Sequence, residues 1–321
     1  MAGPNDRSWN EPILWVEVFA IVNVGFLTFD IFLAHSVNQF RNPAEWIPFF
    51  FSLSAPLLLI VALTQRVRHP AVWKTLGYLV GWVAILVGTT GLILHLESHF
   101  FYERTIRSLT YSAPFAAPLS YAGLGFLLVM NRMVDSKTIE WAQWILFFTL
   151  GGFLGNFVFS LTDHAQNGFF FFVEWVPVVA SALAVGFLTV PLLLQVSRLF
   201  IDICAALLVL EAIVGLWGFM LHAMGNLRGP SVHAFENFVY GAPPMAPLLF
   251  PNLMILGLIG LWQLRNNEGY LDRAYEQTGD LSRANMRLPS PRITLTRFAL
   301  RDQGIPAGKI VPALGNHPRR R

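Results

Sequence analysis

Cysteine and charge are both scarce in this chain. Cys204 is the single cysteine among 321 residues, which excludes a disulfide framework and a cysteine-ligated zinc or iron–sulfur site. Charged residues make up 13% of the chain, against about 25% in soluble domains. The sequence also contains no Walker A loop, no dinucleotide-binding glycine motif, no GxSxG and no HExxH. No lysine lies in the middle of an apolar run, so a retinal Schiff base is not expected.

Hydrophobic residues make up 55% of the chain and include 28 Phe and 10 Trp. They form eight runs of roughly the 20 residues that a helix needs to cross a bilayer. The runs are 13–34, 47–65, 75–95, 111–131, 141–162, 173–195, 199–221 and 241–264. No basic region with a cleavage site precedes the first run, so we expect it to stay as a helix. The sequence predicts an all-α integral membrane protein with about eight transmembrane helices.

The distribution of Lys and Arg predicts the orientation in the membrane. Four of the 22 basic residues fall in the loops that follow odd-numbered runs: Arg41, Arg104, Arg107 and Arg228. Because basic residues concentrate on the cytoplasmic side, both termini are expected there, with multiple passes between them. The formal net charge of +3 follows this topology. We therefore expect the lipid bilayer, and no nucleic acid, as a partner.

A polar pattern, H-x2-N-x6-E-W-[IV]-P, occurs at His35–Pro48 and again 129 residues later at His164–Pro177. Two further segments recur at nearly the same offset, VGTTGLILH ending at His95 with VGLWGFMLH ending at His222, and 113–119 with 242–248. Three matches at one offset indicate an internal duplication. Four helices per copy is an even number, so the copies would enter the membrane the same way, as parallel repeats.

The duplication divides the chain into four parts. We expect a cytoplasmic N-terminus over 1–12, a first four-helix repeat over 13–135 and a second over 140–264. Residues 265–321 are polar and basic and are predicted to form a cytoplasmic tail. Such a tail could contact anionic headgroups or a protein partner, or serve only as a solvated segment.

Each predicted repeat contains two histidines and one glutamate that could meet at the extracytoplasmic face. Two imidazoles and a carboxylate suit a transition metal such as iron, copper or zinc. The candidate ligands are His35, Glu45 and His95 in the first repeat and His164, Glu174 and His222 in the second. The alternative is structural: the glutamate would cap a helix, the following tryptophan would anchor it at the interface, and the histidine would satisfy frayed carbonyls.

Haem is a second candidate cofactor for the same four histidines. Two histidines at equal depth on different helices could ligate one haem in each repeat. Paired glycines precede His95 and His222 and could let a macrocycle approach the backbone. These are Gly88, Gly91, Gly215 and Gly218. Small residues also mediate close helix packing in membranes, which is the alternative explanation.

The acidic residues Glu17, Asp202 and Glu211 also lie inside the apolar runs. Glu211 lies eleven residues before His222, a helical rise of about 16 Å, and is a candidate for a proton path. It could instead be protonated and bonded to Asn23 or Asn156. Asp202 is expected to pair with Arg198 four residues before it, and Glu17 to reach water at the inner boundary.

Three functions remain open at this point, and the sequence does not decide whether the protein is an enzyme. The first is redox or electron-transfer chemistry at the duplicated site, with a quinone-like lipid as a candidate partner. The second is a proton-coupled transporter or permease that uses the His/Glu layer and Glu211. The third is a non-catalytic membrane subunit whose basic tail binds a protein partner.

Overall fold

The computed structural model describes residues 11–267 and 269–270, and every regular element in these residues is helical. The α-helices are α1 (Pro12–Ser36), α2 (Trp46–Gln65), α3 (Pro70–Glu97), α4 (Phe100–Glu103), α5 (Ile106–Thr110), α6 (Leu119–Met133), α7 (Ile139–Gln166), α8 (Trp175–Leu193), α9 (Arg198–Leu227), α10 (Ala234–Tyr240) and α11 (Leu249–Arg265). Single 3-10 turns at Pro43–Glu45, Phe172–Glu174 and Ala246–Leu248 lead directly into α2, α8 and α11.

Seven of these helices are long and apolar enough to cross a membrane: α1, α2, α3, α7, α8, α9 and α11. The prediction of a multi-pass helical membrane protein is confirmed. The fourth predicted span, 111–131, differs, because α6 begins only at Leu119 and has 15 residues. Pro114 and Pro118 precede it, and a proline in a helix interior lacks the N–H that the helix needs. The apolar run there is therefore part loop and part short helix.

The helices pack in two sets of four. In the first bundle, α2 packs against α1 and α3, and α6 packs against α3 and α1. In the second bundle, α8 packs against α7 and α9, and α11 packs against α9 and α7. The two bundles touch along α6 with α7 and along α1 with α11. In both, the helices that end in a candidate histidine lie diagonally across the bundle from each other.

The glycines that precede His95 and His222 are sites of close helix packing. A Cβ on Gly88 would lie 2.7 Å from the carbonyl oxygen of Pro118. A Cβ on Gly215 would lie 2.5 Å from the carbonyl oxygen of Pro247. The start of the fourth helix of each bundle therefore occupies the space that a macrocycle would need at these positions, so the packing explanation is the one that the geometry favours.

Gly215→Ala is expected to lower the thermal unfolding midpoint of the purified protein. The new methyl group would also lie 2.6 Å from Phe250 Cβ and Pro251 Cδ, so backbone must move. Overpacking of this kind costs about 1–3 kcal/mol. Gly186→Ala in α8 is the control, because nothing lies within 4 Å of its added Cβ. It should leave the midpoint unchanged or raise it, and an equal loss in both variants would contradict this account of Gly215.

A buried ion pair joins α1 to α6 at the end opposite the candidate histidines. The two guanidinium NH groups of Arg132 donate to the two carboxylate oxygens of Glu17 at 2.8 and 2.9 Å, and both side chains are fully buried. Arg132 also donates to the carbonyl of Trp73 and lies over its ring. The expectation that Glu17 reaches water is therefore wrong.

Asp202 pairs with a different partner from the one that its spacing indicated. Arg265 Nε, at the end of α11, donates to Asp202 Oδ1 at 2.7 Å. The predicted pair with Arg198 is therefore wrong, because a neighbouring helix supplies the cation. Arg265 is the last residue of α11.

The predicted cytoplasmic tail and N-terminus lie almost wholly outside the described residues.

Candidate functional site

The four candidate histidines lie near the ends of α1, α3, α7 and α9, all at the same end of the two bundles, which we call the histidine end. Two contacts bring the bundles together there. The Phe32 ring, one turn before His35, lies 6.4 Å from that of Phe235 in α10. The side-chain amide of Gln166, just after His164, donates to the carbonyl of Thr110 at 2.8 Å.

The chain turns in the same way after His35 and after His164. Phe40 and Phe169 both have positive φ, at 51° and 52°, and so does the residue before each of them. Their N–H groups donate to the carbonyls of His35 and His164 at 3.2 and 3.0 Å. A 3-10 turn follows in both cases and ends on the glutamate. The nine residues between each histidine and its glutamate therefore form a turn that brings the glutamate back to the histidine.

A phenylalanine that the sequence analysis did not single out supports both turns. The Phe40 ring stacks on Trp46 with centroids 4.3 Å apart, and Phe169 stacks on Trp175 at 3.9 Å. The recurring pattern is therefore H-x2-N-x-F-x4-E-W-[IV]-P. The phenylalanine is visible in the sequence at equal spacing in both copies, but only the turn shows that it is the tryptophan's partner.

Each glutamate faces its histidine without a hydrogen bond. The Nδ1 atom of His35 lies 3.7 Å from Oε2 of Glu45, and the Nδ1 atom of His164 lies 3.9 Å from Oε2 of Glu174. Both Oε2 atoms are buried and have no hydrogen-bond partner among the described residues. The other oxygen of Glu45 accepts from Asn38 Nδ2 at 2.7 Å, which holds the carboxylate in this orientation.

The second histidine of each bundle is held by a backbone carbonyl. His95 Nδ1 lies 2.9 Å from the Pro114 oxygen, and His222 Nδ1 lies 2.8 Å from the Pro243 oxygen. A carbonyl oxygen can only accept, so Nδ1 carries the hydrogen in these bonds. In the neutral ring Nε2 then keeps its lone pair, which is the arrangement that orients a metal-binding imidazole.

The two histidines of each bundle meet across the diagonal. The ring centroids of His35 and His95 are 6.2 Å apart, and those of His164 and His222 are 6.4 Å apart, with the rings nearly perpendicular in both pairs. Glu45 interacts electrostatically with both His35 and His95. Among residues 11–267 and 269–270, however, no three His, Cys, Asp or Glu side chains lie at metal-binding distances.

Glu211 lies inside the second bundle and is 1% exposed, and its Oε2 atom has no hydrogen-bond partner. Asn23, one of its two candidate partners, is used elsewhere. The amide nitrogen of Asn23 donates to the Phe19 carbonyl, and its oxygen accepts from Asn252. Asn156, the other candidate, is 3% exposed and its Nδ2 atom has no partner. The predicted hydrogen bond to Glu211 is therefore not formed with either asparagine.

No protein-family model, no curated protein and no solved structure matches this chain.

Proposed function

We propose that each bundle binds one transition-metal ion at the histidine end, between two histidines and one glutamate. The observation that carries the proposal is the buried Oε2 of Glu45 and of Glu174, each opposite a histidine nitrogen and without a partner. A buried carboxylate oxygen without a hydrogen bond is costly. The same arrangement occurs twice, which argues for a shared ligand rather than for a local defect.

The His–Glu separations suit an ion between the two atoms. At 3.7 and 3.9 Å they exceed a hydrogen bond. Two ligand atoms each about 2.0–2.2 Å from one metal ion can be up to roughly 4.2 Å apart. A cation would therefore contact both atoms with little movement of either side chain, and it would offset the charge of the carboxylate.

His95 and His222 would complete the two sites through Nε2. Two imidazoles that face one ion from opposite sides, with metal–nitrogen bonds of about 2 Å, have their ring centres roughly 6 Å apart. The ring separations of 6.2 and 6.4 Å match this arrangement. Small side-chain rotations would bring all three ligands onto one ion. Two imidazoles and a carboxylate suit iron, copper or zinc, and iron or copper would support electron transfer.

A bare metal ion is favoured over haem at these histidines. The packing of Pro118 against Gly88 and of Pro247 against Gly215 leaves no slot for a macrocycle beside those glycines. An ion needs only the space between the ligands. On this proposal the chain consists of two tandem parallel four-helix repeats, with both termini cytoplasmic and the histidine end extracytoplasmic. A quinone-like lipid could then exchange electrons with the ions from the bilayer.

Metal analysis together with a visible spectrum tests this proposal. Protein purified from cells supplied with iron, copper, zinc and a haem precursor is expected to carry two metal ions per chain and to show no haem absorption. A haem spectrum without bound non-haem metal would mean that the histidines bind haem and would contradict the proposal of a bare metal ion. Protein with neither metal nor haem, under the same supply, would overturn the proposal.

A further inference from the structure

Three of the polar side chains buried inside the second bundle lie on three different helices. Asn156 of α7, Ser181 of α8 and Glu211 of α9 are 3%, 0% and 1% exposed. These helices pack around one another and carry His164, Glu174 and His222 at the histidine end. Polar groups at such positions are costly in a membrane protein unless they have partners.

The three residues lie at successive depths below the histidine end. Ser181 follows Glu174 by seven residues, a rise of about 10 Å along α8. Asn156 precedes His164 by eight residues, about 12 Å along α7. Glu211 precedes His222 by eleven residues, about 16 Å along α9. The three polar groups therefore lie about 10 to 16 Å below the site, toward the middle of the helices.

Two of these groups have free hydrogen-bonding capacity. Asn156 Nδ2 and Glu211 Oε2 are buried without a partner. The hydroxyl of Ser181 donates to the Pro177 carbonyl at 2.6 Å and keeps its lone pairs as acceptors. Buried polar groups of this kind are usually satisfied by ordered water that bridges two or more of them.

The first bundle has no such series. Leu27 and Ala84 occupy the positions that correspond to Asn156 and Glu211. Ser52, which corresponds to Ser181, is buried against the hydroxyl of Tyr121 and forms a hydrogen bond with it. The combination of Asn156, Ser181 and Glu211 therefore has no counterpart at the corresponding positions of the first bundle.

Within the part of the chain that the structure describes, no cation is placed to neutralise Glu211 from the helices around it. Helix α8 contains no titratable residue, and the only one in α11, Arg265, pairs with Asp202. Helix α10 holds only Glu236 and Tyr240, in the segment that follows α9 at the histidine end. The titratable groups of α7 lie near its two ends: Glu140, Asp163 and His164. An ionised carboxylate without a cation is expensive in this environment.

We propose that Glu211, Asn156 and Ser181 form a hydrated polar path that lets Glu211 exchange its proton with solvent at the histidine end. Water bound between Asn156 Nδ2 and Glu211 Oε2 fills the two missing hydrogen bonds and connects them to the region of His164 and Glu174. The path does not require a metal ion at that site, so it goes beyond the function proposed above. On this proposal the second bundle can couple a change at its histidine site to the uptake or release of a proton.

Infrared spectroscopy during transfer of the purified protein into D2O tests the path directly. The carbonyl stretch of a protonated Glu211 is identified as the band that Glu211→Gln removes. In the unchanged protein this band should shift upon mixing, because water reaches the carboxyl. In Asn156→Leu, which installs the residue type of the first bundle, the shift should slow by at least about tenfold, since exchange then requires local opening.

Two further variants keep the test decisive. Asn23→Leu removes an asparagine outside the path and should leave the exchange rate unchanged. Ser181→Ala is a small change that should fold and should slow the exchange, giving an independent reading if Asn156→Leu does not fold. Equal exchange rates in the unchanged protein and the path variants would overturn the proposal. So would the absence of a band that Glu211→Gln removes.

Discussion

Arg132→Leu alone is expected to lower the free energy of unfolding by about 3–5 kcal/mol, because it leaves the carboxylate of Glu17 buried without its cation. Both carboxylate oxygens of Glu17 accept from Arg132, and neither side chain is exposed. Asn131 Nδ2 also donates to Glu17 at 2.9 Å, but one amide cannot offset a full charge. The measurement is thermal or denaturant unfolding of the purified protein in detergent.

The double variant Glu17→Leu/Arg132→Leu is expected to recover most of that loss. Replacement of a buried ion pair by apolar residues is often neutral or stabilising. The second bundle has apolar residues at the corresponding positions. Leu146 and Leu261 lie 129 residues after Glu17 and Arg132 and are 0% and 1% exposed. Recovery should be incomplete, because Arg132 also fills the space beside Gly77, where a Cβ would lie 1.7 Å from its Nε atom.

Arg265→Leu is the matched control for this pair. Arg265 and Asp202 are 47% and 49% exposed, so water screens their interaction and the change should have little effect on unfolding. A double variant as unstable as Arg132→Leu would contradict the account. It would mean that the ion pair does more than neutralise a charge inside the first bundle.

The apolar runs predicted most of the helices, and the exception has a physical cause. Run length and hydropathy report whether a segment can be buried in lipid, whereas proline decides where a helix can begin. Near α6 the two signals disagree: the run starts at 111, and Pro114 and Pro118 delay the helix to Leu119. In this run hydropathy alone therefore overstates the length of the helix.

Side-chain partners were less accessible from the sequence. Glu17 and Arg132 are separated by 115 positions, and no spacing rule joins residues on different helices. The predicted pairing of Asp202 was wrong for the same reason, since a local i, i+4 cation is available in Arg198 but Arg265 of another helix forms the pair. Gly77 has no Cβ and so leaves room for Arg132, but this role can be recognised only once the packing is known.

The candidate site was predictable as far as the duplication extends. Residues that recur at one offset include those that set the turn, which is why His35 and Glu45 could be placed near each other from spacing alone. The role of Pro114 and Pro243 as carbonyl partners of His95 and His222 was not predictable, although both prolines lie in a segment that recurs. The loop conformation decides which backbone carbonyls of a recurring segment accept hydrogen bonds from the histidines.

The number of metal ions that the purified protein binds tests the central claim most directly. Protein stripped with a chelator and titrated with Zn²⁺ should bind two ions per chain. His95→Ala and His222→Ala should each bind one, and the double variant none, because each histidine supplies Nε2 to a different site. His69→Ala, which changes a histidine at the opposite end of α3, should still bind two. Unaltered binding in the double variant, or none in the unchanged protein, would contradict the claim.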